Sequence, residues 1–168
     1  PHADAAAMGR RTATISGGVL QMGNGGESGT LQATIINNAT LVFKHSNHLT
    51  YAQQISGTGA LLQQGTGMLT LTGDNSYLGG TVIRDNVLQL GDGGTTGSIM
   101  GDVDNDGMLF LNRSNTLQLD GAISGRGGLV QQGSGTSVLT ADNSYGGGTR
   151  IDAGALQLGN GGTTGSVL

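Results

Sequence analysis

The chain has 168 residues, including 34 Gly and 1 Pro, with no Cys and no Trp, a net charge of −4 and only 11% charged residues. One Pro without a Gly-x-y period excludes collagen, and 35% hydrophobic residues at low charge exclude a charged disordered chain. No Cys means no disulfide and no thiolate metal site, and one Lys with six Arg makes no basic stripe for nucleic acid.

Residues 1–12 open the chain with Pro1-His2-Ala3-Asp4, lack the apolar core of a signal peptide and read as a cloning scar or a cut end. No run approaches the length of a membrane-spanning helix. From residue 13 onward the chain repeats itself. Leu20-Gln21-Met22-Gly23 recurs as Leu88-Gln89-Leu90-Gly91 and again as Leu156-Gln157-Leu158-Gly159, at intervals of 68. Units 20–87 and 88–155 align without a gap and are identical at nearly half of their positions. Partial copies occupy 13–19 and 156–168. The chain therefore reads as a slice through a repeat array.

In chain order, the first unit predicts strands at Thr34–Ile36, Thr40–Phe43, Leu61–Gln63, Met68–Thr72, Thr81–Arg84 and Val87–Leu90. The second predicts Met108–Leu111, Thr116–Leu119, Leu129–Gln131, Ser137–Thr140, Thr149–Asp152 and Ala155–Leu158. Gly-rich turns such as Gly23-Asn24-Gly25-Gly26 and Gly146-Gly147-Gly148 separate them. No window of ten or more residues has the 3.6 period of an amphipathic helix. Leu20, Leu41, Leu61 and Ile83 recur at a near-constant spacing, which matches one turn of a β-solenoid. A 68-residue unit is then about three turns, the chain about eight, and the rod roughly 40 Å long at ~4.8 Å per stacked strand.

The run Gly59-Ala60-Leu61 … Gly67-Met68-Leu69-Thr70-Leu71-Thr72-Gly73-Asp74-Asn75-Ser76-Tyr77-Leu78-Gly79-Gly80-Thr81-Val82-Ile83 resembles the passenger-associated transport repeat of bacterial autotransporters. The copy at Gly127–Ile151 resembles it too, with Ser137-Val138-Leu139-Thr140-Ala141 in place of Leu69-Thr70-Leu71-Thr72-Gly73. Both have Ser where the family usually has Thr before Tyr. The resemblance implies an all-β, right-handed parallel β-helix in the passenger of a type V secretion system. Such a passenger crosses the Gram-negative outer membrane through a C-terminal translocator β-barrel, at which its repeats assist by folding outside. It implies a cell-surface or secreted adhesin or virulence factor. Expected partners are that barrel, host extracellular matrix or a cell-surface receptor, and another copy of the chain. No cofactor is implied.

The repeat positions Asn75, Tyr77, Gly79, Gly80, Asn143, Tyr145, Gly147 and Gly148 read as structural. An Asn in a corner can bond its own backbone and a stacked equivalent, as in an Asn ladder. Tyr77 and Tyr145 can close the apolar column with the hydroxyl at its edge.

Asp102, Asp104 and Asp106 form the one acidic cluster and are a weak calcium candidate, with a solvated turn as the plainer reading. The position of an EF-hand's bidentate Glu is Arg113. Gly93-Gly94 and Gly161-Gly162 open like a calcium nonapeptide but continue Thr-Thr-Gly-Ser without the ligand Asp. They also lack the Lys of a phosphate loop. His45 and His48 are read as polar surface residues, since i and i+3 point to opposite faces of a strand. No nucleophile constellation appears, so no catalytic residue is assigned. Three functions compete: a structural stalk that aids secretion and presents adhesive regions, an adhesive module in its own right, and a polysaccharide-acting enzyme. The last needs converging carboxylates, and only 102–106 cluster.

Overall fold

A computed structural model describes residues 11–168. The reading of 1–12 as a scar falls mostly outside these residues, though the first strand already begins at Thr12. Twenty short strands are described. They are β1 (Thr12–Ile15), β2 (Val19–Met22), β3 (Thr34–Asn37), β4 (Thr40–Phe43), β5 (Leu49–Tyr51), β6 (Ile55–Ser56) and β7 (Ala60–Gln63). Next come β8 (Leu69–Leu71), β9 (Thr81–Ile83), β10 (Val87–Leu90), β11 (Val103–Asn105), β12 (Met108–Leu111), β13 (Thr116–Leu119) and β14 (Ile123–Ser124). The last six are β15 (Gly128–Gln131), β16 (Thr136–Leu139), β17 (Asp142–Asn143), β18 (Thr149–Ile151), β19 (Ala155–Leu158) and β20 (Ser166–Val167). Each strand run is short because Gly and Asn punctuate the chain before a fifth or sixth extended residue can add to the ladder.

All pairing is parallel, and the strands wind into a β-solenoid of about 8 turns. Two six-stranded sheets run along the rod, β2-β4-β7-β9-β11-β14 as side two and β5-β8-β10-β12-β15-β18 as side three. Side one of the winding order holds β1-β3-β6 near the start and β13-β16-β19 near the end. Between them it carries the bridge from Asp74 to Ser98. β17 and β20 extend side two, as Ser144 N donates to Ile123 O at 2.8 Å.

Inward positions form a single aliphatic column. Ile35, Leu41, Ile55, Leu61, Leu71, Ile83, Leu88, Leu90, Leu109, Leu111, Ile123 and Leu129 are each 0% exposed. Removing such a side chain from water contributes about 1.5–3 kcal/mol. Phe43 and Tyr51 meet edge to face near the start of the column. Leu20, Leu41 and Leu61 are stacked in register, as their spacing predicts. Ile83 is not in that row: Thr81 sits over Leu61, and Ile83 over Gln63. The row shifts because side chains alternate, and a slip by two positions keeps Ile83 facing inward.

The turn length and the sequence period do not match. The turn itself varies: Leu69 pairs with Leu88, Thr12 with Thr34 and Asp142 with Ser166, each step longer than the one before it in this series. A period of 68 therefore covers three turns and about a third of another. Equivalent strands consequently land on different sides: β2 on side two, β10 on side three and β19 on side one. The same displacement carries β4 to β12, β7 to β15 and β9 to β18. The expectation of about three turns per repeat holds to the nearest turn, but successive repeats are rotated by one side of the rod.

Candidate functional site: the repeated corner clips and loop clasps

The repeat motif places Asn75 and Asn143 in corners, almost fully buried. Asn75 Oδ1 accepts from Ile55 N at 2.8 Å, one turn back. Its Nδ2 donates to Gly73 O at 3.0 Å and to Ser98 O at 3.2 Å, one turn on. Asn143 repeats the arrangement with Ile123 N, Ala141 O and Ser166 O. Each side chain thus clips three consecutive turns through their backbones. The two Asn do not stack on each other, since they lie on different sides, so the Asn-ladder expectation is corrected. Each stands in for a ladder partner by accepting from a backbone amide, Ile55 N or Ile123 N, that would otherwise be buried unpaired.

Sequence reasoning missed two further clips. Asn37 donates to Ala60 O at 2.8 Å and accepts from Ala39 N at 3.1 Å. Asn105 donates to Gly128 O at 2.9 Å and accepts from Gly107 N at 3.1 Å. Their identity at an interval of 68 was the available signal.

Tyr77 and Tyr145 are 0% and 1% exposed, and each hydroxyl lies 2.6 Å from the Thr four positions on, Thr81 and Thr149. Burial raises the Tyr77 phenol far above the ordinary tyrosine value, opposed in part by the Thr81 bond. Tyr145 and Tyr51 are raised for the same reason. Gly79 and Gly147 lie against the preceding turn, where a Cβ would come within 2.5 Å of the Gly59 and Gly127 backbones. Gly80 and Gly148 take φ of +87° and +86°, a region that L side chains avoid.

A second device holds the Gly-rich loops. Asp74 Oδ1 accepts from Gly97 N at 3.0 Å and from the Ser98 hydroxyl at 3.1 Å. Asp142 does the same for Gly165 and Ser166, and these bonds lower its carboxyl below the usual range. The loop 91–97 is then clasped by the next turn. Gly93 N donates to Asn112 O, and Ser114 N to Gly94 O, both at 2.8 Å. Arg113 Nη1 reaches Gly97 O at 3.4 Å, and Asn115 Nδ2 reaches Thr95 O at 3.3 Å. In the first unit Gly25 N donates to Lys44 O and Ser46 N to Gly26 O, both at 2.8 Å. There His45 Nε2 meets Gly29 O at 3.0 Å.

His45 is therefore 3% exposed and seated in this clasp, which corrects its reading as a surface residue. The strand β4 ends at Phe43, so the alternation rule no longer applied at His45. His48, by contrast, is exposed, with Nε2 at 2.7 Å from the Thr70 hydroxyl.

Asp102, Asp104 and Asp106 do not converge, so the calcium candidate is corrected too. Among the described residues no three His, Asp or Glu gather where a metal ion would sit. Asp102 Oδ1 accepts from Ala122 N at 2.9 Å and Asp106 Oδ1 from Arg126 N at 3.1 Å. These are caps on the following turn, and Asp104 is an outward residue of β11. The stretch read as a solvated turn is centred on a strand. No helix among the described residues is long and apolar enough to cross a membrane, which says nothing of strands.

Corner clips and loop clasps repeated on a parallel stack define a class: a parallel β-solenoid assembled from one reiterated unit. Residues 61–90 and 129–158 match the family Passenger-associated-transport-repeat, and the chain belongs with the autotransporter passengers that carry it. The matched stretches run from β7 to β10 and from β15 to β19, and so take in both buried Asn–Tyr corners. The chain is also similar to the Adhesin BmaC autotransporter of Brucella suis biovar 1 (strain 1330), at 45% identity over 165 residues. That match covers 85% of this chain and 4% of the adhesin, so the chain spans a small fraction of that relative. No solved structure matches the chain. The repeats mark a segment exposed at, or secreted from, the Gram-negative cell surface.

Proposed function

We propose that this segment is the rigid stalk of an autotransporter adhesin or virulence factor, a structural rather than catalytic part that aids export and presents adhesive regions away from the cell. The observation that supports this best is the unbroken stack from Thr12 to Val167, in which backbone bonds and Asn and Asp side chains tie each turn to the next. A solenoid of this kind buries its column only as turns are added, so each folded turn templates the one after it. Folding on the far side of the membrane then draws the chain outward through the parent's translocator β-barrel.

A second reading makes the segment itself adhesive toward host matrix, a glycan, a cell-surface receptor or another copy. It is favoured by Leu78 and Met100, 61% and 50% exposed. They sit on adjacent turns, with Gly101 against the Leu78 carbonyl. The test is binding of the folded chain to a panel of matrix proteins, glycans and host cells, with Leu78→Ser/Met100→Ser alongside. A folded chain that binds nothing supports the stalk. Saturable binding lost in the double variant replaces it with the adhesive module.

A further inference from the structure

The clasp over loop 23–29 leaves two buried polar atoms without partners, where the clasp over loop 91–97 pairs their equivalents. His45 Nε2 lies 3.0 Å from Gly29 O. A carbonyl only accepts, so Nε2 carries a hydrogen and Nδ1 of the neutral ring is a bare acceptor. Nδ1 is buried without a partner, and so is Asn47 Oδ1. Both residues line one recess, with Phe43, Gln63, Met68 and Leu69, and it has no room for a bridging water molecule. The other neutral tautomer is no better, since it sets a bare Nε2 against the Gly29 carbonyl. At the equivalent place in the second clasp a permanent cation bonds both acceptors. Arg113 donates from Nε to Asn115 Oδ1 at 3.0 Å and from Nη1 to Gly97 O at 3.4 Å.

We propose that His45 makes an acid-operated version of the Arg113 clasp: in the folded chain its ring takes a second proton, donates from Nδ1 to Asn47 Oδ1 as well as from Nε2 to Gly29 O, and tightens loop 23–29 as pH falls. With Asn47 so placed, the imidazolium is the one state of the ring that pairs Gly29 O, Nδ1 and Asn47 Oδ1 together. Burial opposes the charge. Against that stand two bonds from a charged donor, each stronger than a neutral one, and a position that holds a cation in the second copy. The charged and titratable groups of the segments around His45 are few. The covering loop brings Glu27, which favours the imidazolium. Its own segment brings Lys44, which opposes it, and His48, which is turned to the Thr70 hydroxyl. The segment 63–69 brings none. A folded clasp that binds the proton more tightly than the unfolded chain gains stability as pH falls and gives it up as pH rises.

The test is a pH series on the full folded chain from about pH 8 to about pH 5, which spans the ordinary histidine range. Nitrogen NMR of labelled histidine rings reports each ring nitrogen separately. His45 Nδ1 moves from the position of a bare nitrogen to that of an N–H, while Nε2 stays an N–H throughout. Over the same range, hydrogen exchange is followed at Gly25 and Ser46, whose amides donate to Lys44 O and Gly26 O. It slows about tenfold relative to Gly93 and Ser114, the same amides of the Arg113 clasp. His45→Arg removes the pH dependence and holds that ratio at its acid value. If this variant does not fold, the wild-type series decides alone. A His45 Nδ1 that stays bare throughout overturns the proposal and turns the Asn47 amide round, with Nδ2 donating to a neutral ring. An exchange ratio that is flat or that falls in acid overturns it as well, because the proton then does not work the clasp.

Discussion

The corner at 75–90 and the corner at 143–158 carry nearly the same residues in different surroundings. Asn75 and Asn143, and Tyr77 and Tyr145, are equally buried and make equivalent bonds. Further along the chain the two copies part: Leu90 is fully buried and Leu158 half exposed, and Ile83 and Ile151 differ in the same way. The clip is complete within its own turn and its immediate neighbours. The strands that follow it are buried only when another turn lies over them. One motif therefore contains both a self-sufficient fastener and an interface.

Substitutions made in pairs break or sharpen this contrast. Ile83→Asp places an unpaired carboxylate in the column and should cost about 4 kcal/mol or more, enough to unfold the rod. Ile151→Asp should cost under about 1 kcal/mol, because its side chain already meets water. Urea melts followed by far-ultraviolet circular dichroism compare the two, and equal losses would refute the interface account. Asn75→Ala and Asn143→Ala should each cost about 1–3 kcal/mol, since each leaves a buried backbone amide, Ile55 N or Ile123 N, without its acceptor. A large difference between them would show that the clips are not self-contained.

Tyr77→Phe leaves the buried Thr81 hydroxyl without a partner and should cost about 1–2 kcal/mol. Tyr145→Phe should cost less, because Thr149 is exposed and water replaces the phenol. The same tyrosines set an alkaline limit. Their folded pKa values lie above the ordinary 10.0, so the unfolded chain ionises first. Their contribution is complete below about pH 10 and declines as pH rises from there through the folded values. Phenolate absorbance should show Tyr77 titrating only as the fold is lost. The smallest effect is chemical. Asn160-Gly161 should deamidate faster than Asn24-Gly25, because the attacking amide of Gly25 is bound to Lys44 O. Peptide mapping after incubation at mild alkaline pH reads the ratio, and equal rates would deny the clasp.

Much of the rod was legible because its rules are local. Leu61–Gln63 and Val87–Leu90 alternate as strands must, and the turn length follows from the spacing of Leu20, Leu41 and Leu61. The shortest strands were not legible, among them β6, β11 and β14. Val103 and Asn105 face inward while the Asp residues between and around them dominate the composition. That is why 102–106 reads as an acidic turn until its neighbours supply Ala122 N and Arg126 N as donors. His45 misleads for a similar reason, since only the returning loop at Gly29 buries it.

By itself the sequence determined the period of 68, the all-β class, the parallel solenoid and the residues of the corner motif. These follow from alternation, from Gly and Asn at turns and from self-similarity, none of which needs distant contacts. The tertiary structure decided how the period maps onto the rod. Hydrogen-bond register sets the turn length, from the short step between Leu69 and Leu88 to the long one between Asp142 and Ser166, and 68 is not a whole number of such turns. Each repeat is therefore rotated to the next side, so Asn75 and Asn143 never meet, and each Asn fastens backbone instead of its own copy.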